Sequence, residues 1–331
     1  MDSNDSSGNS GSPYAHDRAA AAAAAGTAKW RTRGLQALFI AGCVTAVYLL
    51  YQQEPAGPGV GSERAPVASE TIYASSELDA AEPNANQYDG GPIVIELFTS
   101  QGCSSCPPAD RVLSLLRQTG QIDGIPIVTL SEHVDYWNRL GWTDPYSQAV
   151  FSDRQAAYAR SINRSNRIYT PQMVVDGREE FVGHNLRRAT EAVRRAATRR
   201  RIPLELTVAR EGSTGTVAKV RVPASAAART ATNGASANSI LAGAELIVVV
   251  SEDGLDDRVK RGENAGHTLR HDGVVRRLIR TQAPASIGES TTVRLELEPD
   301  WRVANLRVVA WLANRESQEI QAAASAGIPT Q

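Results

Sequence analysis

Apolar positions change their spacing three times along the 331 residues. Residues 34–51, GLQALFIAGCVTAVYLLY, form an uncharged apolar stretch just long enough to span a bilayer. Residues 93–98 (IVIELF) and 125–130 (IPIVTL) are short runs with many β-branched side chains, the composition of buried strands. Between them Val112, Leu113, Leu115 and Leu116 recur at helical spacing. The order strand, helix, strand predicts a right-handed crossover and two parallel strands. Residues 142–164 read as one or two helices with an apolar stripe of Tyr146, Val150, Phe151, Ala157 and Tyr158. A short strand at 173–175 turns at Asp176-Gly177 into a hairpin, and a helix follows over 185–201. That helix carries Arg187, Arg188, Arg194, Arg195, Arg199, Arg200 and Arg201, which read as a solvated face with cations near its C-terminus. From 202 onward the pattern shifts again. Runs at 204–209, 216–222, 245–250, 274–279, 292–297 and 306–312 have strand length, and six of them predict a β-sandwich.

The N-terminal third lacks such periodicity outside the apolar stretch. Residues 1–33 are polar and small, with an alanine run at 19–25, and read as a disordered cytoplasmic leader. Lys29, Arg31 and Arg33 precede the apolar stretch, while Gln52, Gln53 and Glu54 follow it. Positive residues stay on the cytoplasmic side, so the bulk of the chain is expected outside, held by a single-pass anchor in the inner membrane and facing the periplasm or exterior. A cleaved signal peptide is the rival reading, but no small-x-small site follows directly and the leader is long. The expected plan is leader 1–33, transmembrane signal anchor 34–51, flexible linker 52–90, an α/β domain over 91–201, an all-β sandwich-like domain over 202–316 and a disordered tail 317–331.

Charge and cysteine content narrow the chemistry. The formal net charge is −1, which gives no reason to expect nucleic acid as a partner. The three cysteines are Cys43, inside the apolar stretch, and the Cys103-Ser104-Ser105-Cys106 pair. A disulfide-dense scaffold is excluded, and the one plausible intrachain bond is Cys103–Cys106. Strand, polar turn, Cys-x-x-Cys and helix is the local layout of a thioredoxin-like redox site. Two intervening residues let the sulfurs meet, and a helix N-terminus favours a thiolate on the first. Pro107 and Pro108 complicate this: either the helix starts near Pro107, or it is bent. Of the two sulfurs, Cys103 is expected to be the accessible one. No second cysteine pair completes a Cys₄ zinc site.

Parallel strands bring their C-terminal ends to one edge, so Ser131 to Trp137 is expected beside the dithiol. His133 is a candidate to exchange protons with a sulfur, and Tyr136 and Trp137 to wall a hydrophobic groove. His133 and the two aromatics equally suit a turn cap and core packing. The polar stretch 261–267, RGENAGH, reads as an ordered turn that approaches this edge without entering it. His267 and His271 with Asp272 make only a weak metal pattern.

Thr170-Pro171 opens the strand at 173–175, and here the chain resembles the thioredoxin superfamily. The resemblance implies a cis bond before Pro171 and a Thr170 backbone that pairs with an extended substrate segment. It also implies a buried carboxylate in the first strand, for which Glu96 is the candidate. More closely, FTSQGCSSCPPAD, HVDYW, the GW-x-DP segment, YTPQMVVDG, RGENAG and the following VVR resemble an exported bacterial family catalogued as domain of unknown function 1223. That family carries no assigned reaction. The expected activity is an envelope-facing thiol–disulfide oxidoreductase acting on protein thiol and disulfide partners, without a cofactor and with oligomeric state open. Cys103 attacks and Cys106 resolves, while Thr170 and Pro171 shape the substrate face. The alternatives are a module holding a soft metal such as Cu(I) on the thiols, with His133 as third ligand, and a structural fold with a permanent disulfide whose β domain docks a partner.

Overall fold

β1 (Ile93–Thr99) is buried along its whole length, and its alternating side chains serve two cores. Ile93, Ile95 and Leu97 face helices α1 (Pro107–Thr119) and α3 (Leu186–Ala197), meeting Leu113, Leu116, Ala189 and Val193. Val94 and Phe98 face the other way, towards Phe151 and Tyr158 of α2 (Ala149–Asn163). The computed structural model describes residues 88, 90–211, 215–226 and 237–330, all within one unit, Leu78–Gln331. The leader, the apolar stretch 34–51 with Cys43 and most of the linker lie outside the described residues. Among the described residues no helix is long and apolar enough to cross a membrane.

α1 begins at Pro107, so both prolines occupy the first two positions, where a helix needs no N–H donor. It ends at Gly120, whose left-handed backbone lets its N–H bond the Leu116 carbonyl. β2 (Gln121–Ile122) and β3 (Ile125–His133) follow, and β3 lies parallel to β1 with Thr99 opposite His133. The expected crossover is therefore present, and the two strand ends share one edge. β4 (Gln172–Val175) and β5 (Glu179–Val182) extend the sheet antiparallel beyond β1.

The second half adds β6 (Glu205–Glu211), β7 (Gly215–Arg221), helix α4 (Ala237–Gly243), β8 (Ala244–Glu252), β9 (Leu255–Arg258), β10 (Thr268–His271), β11 (Val274–Gln282), β12 (Ser290–Leu295), β13 (Leu306–Asn314) and β14 (Ile320–Gly327). Strands β6, β7 and β12 form a three-stranded sheet that covers one face of β8 and β13. Leu246, Val248 and Val250 of β8 point into that layer, and Ile247 and Val249 point to the opposite core beside Val94, Val128 and Phe151. Two facing sheets are thus present over 202–316, with α4 as an added helix.

The larger of those sheets does not stop at residue 201. Its order is β14-β13-β8-β11-β3-β1-β4-β5, a mixed α/β architecture on one large sheet that runs through both expected domains. The join is narrow: β11 runs parallel to β3 through the pair Val274 and Ser131, and the Ser131 N–H donates to the Gly273 carbonyl at 2.8 Å. The tail also differs from expectation. Residues 320–327 form β14, paired along β13, because Ala322 and Ala323 alternate between the two cores and bury there.

One arginine of the 185–201 segment departs from the solvated-face reading. Arg201 is buried, ion-paired with buried Asp176, and donates to the carbonyls of Gly90 and Pro92 at 3.1 Å each. Arg194 is half-buried and Arg195 exposed, and they pair with Asp123 and Glu179. Asn185 caps α3 by accepting the Arg188 N–H.

Residues 87–202 expressed alone would expose Val94, Val128, Leu130 and Phe151, which now pack on Ile247, Val249, Val309 and Trp311. The fragment should melt well below the full chain and bind a hydrophobic dye. An unchanged thermal midpoint would show that the shared core contributes nothing to the stability of the first half.

Candidate active site

Cys103 and Cys106 are joined by a disulfide, with Cα atoms 5.4 Å apart. Cys106 is the N-cap of α1, and Cys103 sits in the turn before it, its N–H donating to the Ser100 carbonyl. The helix offers the sulfurs few donors. Pro107 and Pro108 have no N–H, and the next two amides, Ala109 and Asp110, both bond the Cys106 carbonyl. The dipole argument for a strongly acidic Cys103 therefore loses its nearest hydrogen-bond donors. The Ser105 hydroxyl, 3.3 Å from the Cys103 sulfur, stands in their place. Both cysteines are 0% exposed in this oxidised form.

A segment from the second half is bonded to the turn that carries them. The hairpin of β9 and β10 carries the 259–267 loop onto the cysteine turn. The Asn264 side-chain amide donates to the carbonyls of Gln101 and Cys103, at 2.9 Å each. The Glu263 carboxylate accepts from the Ser104 N–H at 2.9 Å and from its hydroxyl at 2.7 Å. These two bonds hold the Glu263 pKa below the usual carboxylate value. The loop that was expected to stop short of this edge lies directly on it.

Below the turn is a buried polar chamber. Asp110, four residues after Cys106 and so on the same helix face, about 5–6 Å away between Cβ atoms, accepts from the Thr99 hydroxyl at 2.8 Å. Burial raises its pKa to about 6, against the opposing pull of a charged His133 and of Thr99. His133, fully buried, bonds Asp144 through Nδ1 at 2.7 Å, while its Nε2 has no partner. Burial alone would discharge the ring; the Asp144 carboxylate outweighs it and raises the His133 pKa, and the same pair lowers that of Asp144 despite burial. His271 of β10 stands edge to face with His133, ring centres 4.7 Å apart. Burial first, and the charge on His133 second, push His271 down to about 3, so its ring is neutral.

The expected residues divide between this chamber and its rim. His133 faces Asp144 and His271, and its one hydrogen bond goes to Asp144 and to neither sulfur. Trp137 bonds the Thr170 hydroxyl through its indole N–H at 2.8 Å, and its Cβ lies against the Gly102 backbone. Tyr136 is half-buried and donates to Gln155 at 3.2 Å. The Thr170–Pro171 bond is cis, and Gly183 lies between Pro171 and Ala109 of α1. A Cβ on Gly183 would fall 2.5 Å from Leu97, 3.1 Å from Ala109 and 3.4 Å from Pro171, so only glycine admits this approach.

Glu96 lies elsewhere. It points from β1 to the face opposite α1, where Arg154 donates to it at 2.6 Å and Tyr158 also bonds it. Glu132 shares that cluster, and burial together with the Glu96 charge raises its pKa well above normal. The carboxylate on the cysteine side is Asp110, which the alternation of β1 places out of reach of Glu96. Asp110 was visible only as the last residue of the FTSQGCSSCPPAD string. Asn264 and Glu263 carried no local signal beyond the polar RGENAGH stretch, and His271 stood out only in the weak pattern of His267, His271 and Asp272. Among the described residues no group of three or more His, Cys, Asp or Glu side chains is placed to hold a metal ion.

Comparison with known proteins adds family and fold. A crystal structure of the Agrobacterium tumefaciens protein AGR_C_4864 is 26% identical, with a TM-score of 0.51, over 73% of this chain and 97% of that one. HBP35 of Porphyromonas gingivalis is 14% identical, with a TM-score of 0.49, over 72% of this chain and 76% of that one. No curated protein matches. The profile of the family described as "Protein of unknown function (DUF1223)" matches residues 94–313, more than half of the sequence, and the chain belongs to that family.

Proposed function

We propose that the chain is a thioredoxin-like thiol–disulfide oxidoreductase of the cell envelope, held at the membrane by residues 34–51 and acting on protein thiols and disulfides. The observation that carries this reading is a disulfide at the N-cap of a helix, with a buried carboxyl of elevated pKa one turn below it and a cis-proline that shares Gly183 as a neighbour with Ala109 of the same helix. In the forward half-reaction the Cys103 thiolate of the reduced site attacks a partner disulfide; that bond breaks, one partner sulfur leaves with its electron pair, and a mixed disulfide forms. In the resolving step Cys106 gives its proton to the Asp110 carboxylate and attacks the Cys103 sulfur, and the second partner sulfur leaves with the electron pair, so that the Cys103–Cys106 bond forms as the partner is reduced. The rim of Trp137, Thr170 and Pro171 is where an extended partner segment would lie.

A second reading has its own observation. Both cysteines are buried, and the turn that carries them is bonded to Asn264 and Glu263, as a permanent structural disulfide would be. The reduction potential separates the two, because structural disulfides lie below about −300 mV.

Replacing the resolving cysteine, Cys106→Ser, should trap mixed disulfides between Cys103 and envelope proteins, seen as reductant-sensitive bands on a non-reducing gel. Cys103→Ser should trap none. Absence of adducts in the first variant would remove the oxidoreductase reading.

The cover makes a further demand on the reaction: the 259–267 loop must lift before a thiolate reaches Cys103. Glu263→Ala removes two hydrogen bonds from an exposed side chain, and should speed reduction of the disulfide by dithiothreitol under native conditions by about tenfold. An unchanged rate would mean that access does not depend on this loop.

A further inference from the structure

The exchange reaction draws on Asp110 alone among the buried polar groups, and one of the groups it leaves unused is supplied by the second half of the chain. His271 comes from β10, outside the segment that carries the cysteines, and is 1% exposed. Its Nδ1 has no hydrogen-bond partner, and lies 3.8 Å from Asp110 Oδ2.

The neighbours of His271 settle which of its nitrogens carries the proton. The indole N–H of Trp142 can only donate, and it donates to Gln101 Oε1 at 2.9 Å. This orients the Gln101 amide, whose nitrogen then donates to Asp257 Oδ2 at 3.0 Å. The same nitrogen faces His271 Nε2 at 3.4 Å, so Nε2 must be the acceptor. In a neutral ring the proton then belongs on Nδ1, the atom turned towards Asp110.

We propose that His271 is a positioning residue for the redox site: fixed in its Nδ1–H form by the Trp142, Gln101 and Asp257 chain, it closes on Asp110 when that carboxyl ionises. It thereby sets the acidity of the group that exchanges protons with Cys106. The inference rests on the proposed role of Asp110, and extends it to a residue supplied by the second half of the chain. A buried carboxylate is costly unless donors meet it. Thr99 supplies one donor to Asp110 Oδ1, leaving Oδ2 as the oxygen that His271 faces. The charged or titratable groups around Asp110 are His133 from the end of β3, Asp144 from the loop after it, His271 from β10 and Arg111 on its own helix. His133 is bonded to Asp144 through Nδ1 and its Nε2 is also without a partner, but the imidazole nitrogen placed 3.8 Å from Asp110 Oδ2 is Nδ1 of His271.

The sign follows from which form the N–H favours. A donor stabilises the carboxylate, so its removal raises the Asp110 pKa above its starting value of about 6. Exchange that needs the Asp110 carboxylate would then begin to fail at a higher pH as the solution is acidified.

The test is a ¹³C NMR titration of the Asp110 carboxyl in the oxidised full chain, assigned by its loss in Asp110→Asn. His271→Phe should raise the midpoint by about half a unit or more, roughly a threefold change in the ionisation constant. His271→Asn, which keeps a donor at the Nδ1 position, should stay near the wild-type midpoint. The ¹⁵N shifts of His271 in the unaltered protein should show a protonated Nδ1 and an acceptor Nε2, and need no variant to fold. A reversed tautomer, or equal midpoints in the Phe variant and the wild type, overturns the proposal. These readouts do not depend on turnover. Loss of mixed-disulfide trapping with the midpoint shift intact would count against the oxidoreductase reading and leave the His271–Asp110 coupling standing.

Discussion

The architecture depends on one narrow seam, the hydrogen bond from the Ser131 N–H to the Gly273 carbonyl, where β11 meets β3. Gly273 has φ +67, and a Cβ there would lie 2.8 Å from the Thr129 carbonyl, so a side chain would force the strands apart. Through this contact the second half of the chain joins the sheet of the first. β10 ends at His271, two residues before Gly273, and the seam therefore delivers His271 to the edge where Thr99 and His133 end. The tip of the same hairpin reaches the cysteine turn with Glu263 and Asn264.

Electrostatics and packing agree on why the chamber has this form. His133 and Asp144 form a fully buried ion pair, which is tolerated because Asp144 also accepts the amides of Gln101 and Tyr146, at 2.8 and 3.0 Å. A second cationic ring beside His133 would be unfavourable, and His271 is accordingly held neutral. Asp110 lies between a charged ring and a desolvating core, and the two influences leave its pKa at about 6. On the far face of β1 a separate cluster of Glu96, Arg154, Tyr158 and Glu132 satisfies its own charges, remote from the sulfurs by the alternation of one strand. Two buried polar networks thus lie on opposite faces of β1.

Covering a disulfide from outside its own sheet has a physical consequence for selectivity. The exposed parts of the cysteine turn are the side chains of Ser104 and Ser105, and Ser104 is engaged by Glu263. On the proposed reading, a partner would have to offer contacts that compete with a carboxylate bound to an N–H and a hydroxyl, which are stronger than neutral hydrogen bonds.

Local pattern was enough for the crossover of β1, α1 and β3, the start of the helix at Pro107 as one of two options, the Cys103–Cys106 pairing and the hairpin after Val175. Each rests on neighbours in sequence: β-branched runs, helical spacing, two prolines, a Cys-x-x-Cys interval and Asp176-Gly177. The family resemblance read from the cysteine, tyrosine–proline and RGENAG strings agrees with the DUF1223 match over residues 94–313. What lay beyond local reading is what long-range pairing decides. One residue pair at Ser131 and Val274 carries the sheet across the expected boundary at 201, and no periodicity announces so short a ladder. The tail forms β14 only because β13 offers it an edge. Glu96 and Asp110 are both acidic residues close to the cysteines in sequence, and only the direction each points from β1 and α1 separates them. His271 and Asn264 lie more than 160 residues from Gln101 in sequence, yet reach it within hydrogen-bond range, because the tertiary fold alone brings those backbones together.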